Sequence, residues 1–206
     1  MLKRYLYLIS PPIIKRNFYQ DLDDVLSIKN VKFFQLRLKK YSDRKIIEIA
    51  KKVIRITKKH KVKMILNDKV DLSLKVRADG CHLGKKDGNL KEAKKKLGKK
   101  ILGATCHNSK ILCVSASKSG AAYLALGSFF KSKLKPKTIR ADLSTLKWAS
   151  RNIKKPIVAI GGIDERNFKK LLDAGANYIA LSTYIWNNPS LKPKEAIKKF
   201  NYEDSR

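Results

Sequence analysis

The chain has 206 residues, 43% of them hydrophobic, and carries 48 Lys and Arg against 17 Asp and Glu, a formal net charge of +31. That length suits one domain with a sizeable core, and no apolar run reaches the roughly 18 residues that a membrane helix needs, so no membrane partner is expected. The charge favours anionic partners, but the lysines are scattered through amphipathic segments (KKVIRITKKHK, KEAKKKLGKK, LKPKEAIKK) without aromatic interleaving, which reads as a solvated surface with no specific nucleic acid.

The N-terminal MLKRYLYLIS is basic and then apolar, as a secretion signal is, but its apolar part is short and Pro11-Pro12 follow in place of a small-residue cleavage site. YLYLIS (5–10) therefore reads as a first strand, and FFQLRL (33–38) as a second. SDRKIIEIAKKVIRITKKH (42–60) is the clearest helix, with apolar residues at Ile46, Ile47, Ile49, Ala50, Val53, Ile54 and Ile56, and Ser42 as its N-cap. KMILN (63–67), GCHLG (80–84), ILGATC (101–106) and YLALGS (123–128) are further strand-like runs, with helical patterning between them. After the seventh run, IVAIGG (157–162), the helix DERNFKKLLDAGA (164–176) has Asp164 at its cap and Gly175 as its stop. YIALST (178–183) is the eighth run, KPKEAIKKF forms the last helix, and the tail NYEDSR is expected to fray.

Cys81, Cys106 and Cys113 are odd in number and lack metal-type spacing. Cys81 and Cys106 lie within strand-like runs, which predicts buried free thiols in a reducing compartment, the cytoplasm.

Short apolar runs separated by helices imply parallel strands, because an antiparallel pair needs only a tight turn. Eight such units fit the lower end of a (β/α)8 TIM barrel, a single domain over residues 1–206. An open doubly wound sheet would carry a Gly-rich loop after its first strand, whereas here Ile9-Ser10-Pro11-Pro12 follows.

In such a barrel, polar groups at the carboxyl ends of the strands converge on one face. Gln35, Arg37 and Lys39, spaced by two, fall on one face of the second strand. Arg grips phosphate oxygens as a fork and Lys supplies a compact charge; three polar residues at an exposed strand end is the plainer alternative. Asn67-Asp68 end the third strand, and Asp87 follows the fourth by a short loop. Neighbouring strands lie about 5 Å apart, so the two acids can share a cation such as Mg²⁺, or simply pair with lysines. Gly161-Gly162 and Ser182-Thr183 end the seventh and eighth strands, where barrels frequently bind phosphate.

QLRLK, ILND, ADGCHLGKKD, ILGATCH, LGSFF and VAIGG, in this order and spacing, resemble the thiamine phosphate synthase family. The resemblance implies a (β/α)8 barrel that joins a hydroxymethylpyrimidine diphosphate to a thiazole phosphate, releasing pyrophosphate with Mg²⁺. It implies that Gln35 and Thr105 contact the pyrimidine, with Thr105 standing where the family usually has Ser. Arg37, Lys39 and Asn67 would hold the diphosphate, and Asp68 and Asp87 the Mg²⁺. Gly162, Ser182 and Thr183 match the thiazole-phosphate site, and His107 a family His. After LGSFF the family usually reads Pro-Thr-x-Thr-Lys, and this chain has Lys131-Ser132-Lys133-Leu134-Lys135. Ser132 keeps a hydroxyl and Lys135 a catalytic cation beside Arg37 and Lys39, while Leu134 loses the second threonine. Lys133 and Lys137 supply charge in compensation, and Ser128 replaces a usual proline. The alternatives are the sister-branch thiazole tautomerase, which dispenses with the magnesium acids, and a catalytically reduced basic barrel that binds anionic partners.

Overall fold

In a computed structural model, which describes residues 5–130 and 140–200, the alternating pattern becomes eight parallel strands closed into a barrel in sequence order. They are β1 (Leu6–Ile9), β2 (Val31–Leu36), β3 (Lys63–Asn67), β4 (Gly80–Leu83), β5 (Ile101–His107), β6 (Tyr123–Gly127), β7 (Ile157–Ile160) and β8 (Tyr178–Leu181). β8 closes the ring by pairing with β1, Leu6 opposite Ile179 and Leu8 opposite Leu181. Between them run α1 (Phe18–Leu26), α2 (Asp43–Lys59), α3 (Val70–Lys75), α4 (Leu90–Leu97), α5 (Lys110–Lys118), α6 (Leu143–Asn152) and α7 (Phe168–Asp173), with α8 (Thr183–Trp186) and α9 (Pro193–Lys198) after β8.

The two-residue period of a strand divides the core. Leu6, Leu8, Phe34, Leu66, Leu124 and Ile179 belong to the layer between strands and helices. Tyr7, Phe33, Ile65, Tyr123, Ala125, Val158 and Ala180 fill the barrel interior. Gly103 makes that filling possible: a Cβ there would sit 2.1 Å from Cζ of Tyr123, so only a glycine admits the ring. On α2 the buried residues Ile46, Ile49, Ala50 and Val53 recur at helical spacing, and burying each large apolar side chain contributes about 1.5–3 kcal/mol. The Ser42 Oγ caps this helix by accepting from Lys45 N at 3.4 Å.

Three boundary expectations are corrected. The second strand ends at Leu36, so Arg37 and Lys39 lie beyond it, on the loop, and do not share a strand face with Gln35. The helix expected from Asp164 begins at Phe168, with Asn167 as its N-cap and no side-chain cap. Asp164 closes a local turn instead, its Oδ1 accepting from Arg166 N at 3.0 Å, and that turn competes with helix initiation. The eighth strand stops at Leu181, and Ser182 starts α8. Ser132, Leu134, Lys135 and their neighbours, like the tail NYEDSR, fall outside the described residues.

The three cysteines are buried and free. No helix among the described residues is long and apolar enough to cross a membrane. Exposed lysines stand on α2 (Lys51, Lys58), α4 (Lys91, Lys95), α6 (Lys147), α7 (Lys169) and α9 (Lys194), all around the outer helical layer.

Candidate active site at the carboxyl end of the barrel

Strand order brings the ends of β2, β3 and β4 side by side, with Gln35 opposite Ile65 and Asn67 opposite His82. The residue after β3, Asp68, adopts φ 67°, an uncommon conformation for a non-glycine residue, fixed by donation from its backbone N to the carbonyl of His82 at 2.8 Å. Lys39 reaches across from the loop after β2, its Nζ 3.0 Å from Oδ2 of Asp68. Asp87 folds back over Gly84 and accepts from its N–H at 2.8 Å. A Cβ on Gly84 would meet that carboxylate at 2.7 Å, so the glycine clears the space.

Asp68 and Asp87 lie within hydrogen-bonding reach of each other. Burial, and then the neighbouring Asp87, raise the Asp68 carboxyl above its ordinary range, against the pull of Lys39. Burial works in the same direction on Asp87, but the Asp68 carboxyl, the Gly84 N–H and the Lys39 charge outweigh it and leave Asp87 low. Of the two acids, Asp68 is therefore the one that gives up its proton last as pH rises. A divalent cation fits the same place. Among the described residues no three His, Cys, Asp or Glu side chains gather into a complete cage, so the ion would have to bring water or substrate oxygens as further ligands, as Mg²⁺ does.

Arg37 is half-buried, and its N–H donates to Oγ of Ser10 at 3.0 Å. Ser10, only 3% exposed, also donates its N–H to the Gln35 carbonyl at 2.9 Å and accepts through its own carbonyl from Ser182 Oγ at 3.3 Å. One serine therefore ties the ends of β2 and β8 to β1. Gly161 (φ 96°) and Gly162 (φ 67°) form the turn after β7, beside Ser182 and Thr183 on the neighbouring strand end. Gly161 passes so close to Ser128 that a Cβ would lie 2.1 Å from its Oγ. His107 ends β5, exposed.

Under this mouth lies a chain of buried polar groups. His82 Nε2 is 2.8 Å from Thr105 Oγ1, its Nδ1 is 3.0 Å from Tyr123 Oη, and Tyr123 Oη is 2.7 Å from Tyr7 Oη. The Tyr7 hydroxyl also reaches the Gln35 side chain. Burial pushes the His82 imidazole down to about 4, so it is neutral near pH 7. Sequence reasoning assigns no role to Tyr7, His82, Tyr123 or Ser10. The available signal was a glycine inside a strand, Gly103, which marks a close approach by something bulky.

Comparison with known proteins agrees with this layout. A family model described as thiamine monophosphate synthase matches residues 6–185. The thiamine-phosphate synthase of Pelagibacter ubique is 52% identical over 198 residues, covering 96% of each chain. That of Erythrobacter litoralis is 38% identical over 187 residues, covering 88% of each. The structure of thiamine phosphate pyrophosphorylase from Pyrococcus furiosus superposes with a TM-score of 0.84 at 29% identity, covering 96% of this chain and 94% of that one. With a barrel of this topology and a match extending from β1 to α8, the chain belongs to the thiamine monophosphate synthase family.

Proposed function

We propose that this chain, a transferase of thiamine biosynthesis, joins an amino-hydroxymethylpyrimidine diphosphate to a hydroxyethylthiazole phosphate, with Mg²⁺ held by Asp68 and Asp87. The observation that carries the proposal is the contact of Lys39 with Asp68 at 3.0 Å, next to Asp87 at the barrel mouth: two acids and an exposed cation suit a metal-chelated diphosphate. Bound there, Mg²⁺ would neutralise charge building on the departing pyrophosphate.

The protein's own groups do the rest. Arg37 and Lys39 hold diphosphate oxygens as the bond from the pyrimidine methylene to oxygen breaks and pyrophosphate leaves with the electron pair. Gln35 and Thr105 fix the pyrimidine, whose amino group spreads the positive charge left on the methylene. The thiazole nitrogen then donates its lone pair to that carbon, with its phosphate near Gly162, Ser182 and Thr183. No proton moves in forming the thiazolium product, so the reaction requires orientation and electrostatics and no general base. The three buried free thiols fit a cytoplasmic setting, and the whole chain is read as one catalytic domain.

The test is incubation with both substrates and Mg²⁺ while following pyrophosphate and thiamine phosphate. Replacing residues that only support a metal's ligands costs about 10–100-fold, so Asp68→Asn or Asp87→Asn should cost at least as much and raise the Mg²⁺ requirement. Full activity in both variants, with EDTA harmless, would refute the metal assignment. Thiazole isomerisation without pyrophosphate release would identify the sister-branch tautomerase.

A further inference from the structure

Ser10 follows directly on β1, with the end of β2 on one side and the end of β8 on the other. In a regular parallel ladder a residue donates its N–H to one residue of the neighbouring strand, and its carbonyl accepts the N–H two positions further on. Ser10 begins this pattern toward β2, donating its N–H to the Gln35 carbonyl at 2.9 Å. The N–H two positions on belongs to Arg37, and it goes to the Ser10 hydroxyl at 3.0 Å. The Ser10 carbonyl turns to the other side and accepts from Ser182 Oγ at 3.3 Å. Next to it, the Ile9 carbonyl accepts from the Trp186 indole N–H at 2.7 Å, which holds α8 to the same strand end.

A side chain thus stands in for a backbone carbonyl at the point where β2 gives way to its loop. The hydroxyl lies off the line of the backbone, so the Arg37 N–H, and the Cα behind it, leave the course that a continuing strand would take. Pro11 secures the arrangement. A residue before proline is kept out of the helical region, which holds Ser10 extended, and Pro11 has no N–H to compete for the same acceptors. Ser10 is only 3% exposed, so water has little access to replace its hydroxyl.

We propose that Ser10 is a positioning residue for the reaction, its hydroxyl fixing the Arg37 backbone so that the guanidinium meets the diphosphate. It acts through Arg37 and touches neither substrate. The inference rests on the reading above that Arg37 holds the diphosphate. Because a small misplacement of a positioning group costs much of its effect, one hydrogen bond to a main-chain N–H is enough to matter to the substrate. The Ser10 carbonyl, which meets Ser182 on the thiazole-phosphate side, belongs to the backbone and survives any substitution of the side chain.

The experiment measures the dissociation constant of the pyrimidine diphosphate with Mg²⁺, and the KM for thiazole phosphate, in the native protein, Ser10→Ala, Arg37→Ala and the double variant. In Ser10→Ala the Arg37 N–H goes unpaired or moves to the Ser10 carbonyl, whose second lone pair still serves Ser182, and either course displaces Arg37. The dissociation constant should rise about tenfold, with the KM for thiazole phosphate held within about threefold. In the Arg37→Ala background the same substitution should add less than about twofold, because the group it positions is gone. Ser10→Cys, similar in shape but with sulfur as a weak acceptor, should repeat the loss and takes the place of Ser10→Ala if that variant does not fold. Unchanged diphosphate binding in the Ser10 variants, equal weakening of both substrates, or a tenfold loss that persists without the Arg37 side chain would overturn the positioning role. If Arg37→Ala itself binds the pyrimidine diphosphate as the native protein does, the parent assignment of Arg37 fails instead.

Discussion

Lys39 and His82 represent two ways a side chain can matter at this mouth. The Lys39 side chain is 51% exposed, and its partner Asp68 is 21% exposed. An ion pair in that setting contributes under about 1 kcal/mol to stability, whereas a charge-assisted phosphate contact is worth about 1.5–3 kcal/mol. Lys39→Met should therefore lower turnover by roughly ten- to a hundred-fold and leave the thermal midpoint almost unmoved. Steady-state kinetics beside a melting curve separates the two, and a loss of stability matching the loss of rate would show Lys39 to be a structural residue. His82 reverses the balance. Its imidazole titrates near 4 when folded and near 6.5 in an unfolded chain. As pH falls below 6.5 the unfolded chain takes up a proton that the native one refuses, so stability present at pH 7 is lost on acidification. Between pH 7 and 5 this amounts to about 2 kcal/mol. Urea melts at both values should show that loss in the native protein and a smaller one in His82→Gln.

At the scale of elements, β5 and β6 depend on each other through Gly103 and Tyr123, which face each other in register. The Tyr123 ring cannot swing aside, because its hydroxyl is held by Tyr7 at 2.7 Å and His82 at 3.0 Å. Gly103→Ala would put a Cβ 2.1 Å from Cζ of that ring, an overpacking that costs about 1–3 kcal/mol. At roughly 2–4 °C per kcal/mol for a chain of this size, the midpoint should fall by several degrees. Adding Tyr123→Leu relieves the same clash, so the double variant should lose less than the two single losses summed. Strict additivity in calorimetry would mean that the ring and the glycine do not press on each other.

Across the whole molecule the dominant fact is charge. A net +31, with exposed lysines on helices all around the barrel, sets up self-repulsion that destabilises the compact state. The surface pairs, such as Lys45 with Glu48 at 2.8 Å, are worth too little to offset it. Screening shortens from about 10 Å at 0.1 M salt to about 3 Å at 1 M. Raising sodium chloride through that range should therefore raise the melting temperature by a few degrees, where a charge-balanced protein stays level or loses ion-pair stability. Differential scanning calorimetry checks it, and a falling midpoint would place the net charge among minor influences.

The barrel was legible in the chain because eight apolar runs separated by amphipathic helices leave a parallel closed sheet as the simplest way to bury every run. Gln35, Asp68, Asp87, Gly162 and Ser182 could be placed at the strand ends for the same reason, since strand order alone fixes which ends are neighbours. The course of the loop after β2 was not legible. Local spacing put Arg37 and Lys39 on a strand, and only tertiary contacts, the Ser10 hydroxyl under Arg37 and the Asp68 carboxylate under Lys39, end that strand at Leu36. Nor could the sequence join Tyr7, His82, Thr105 and Tyr123, which stand 116 positions apart at their extremes. Periodicity reports which way a side chain faces, and it carries no information about which side chains meet across a closed interior. The sequence by itself determined the architecture and the face that bears the chemistry; barrel closure decided which polar groups on that face are wired together.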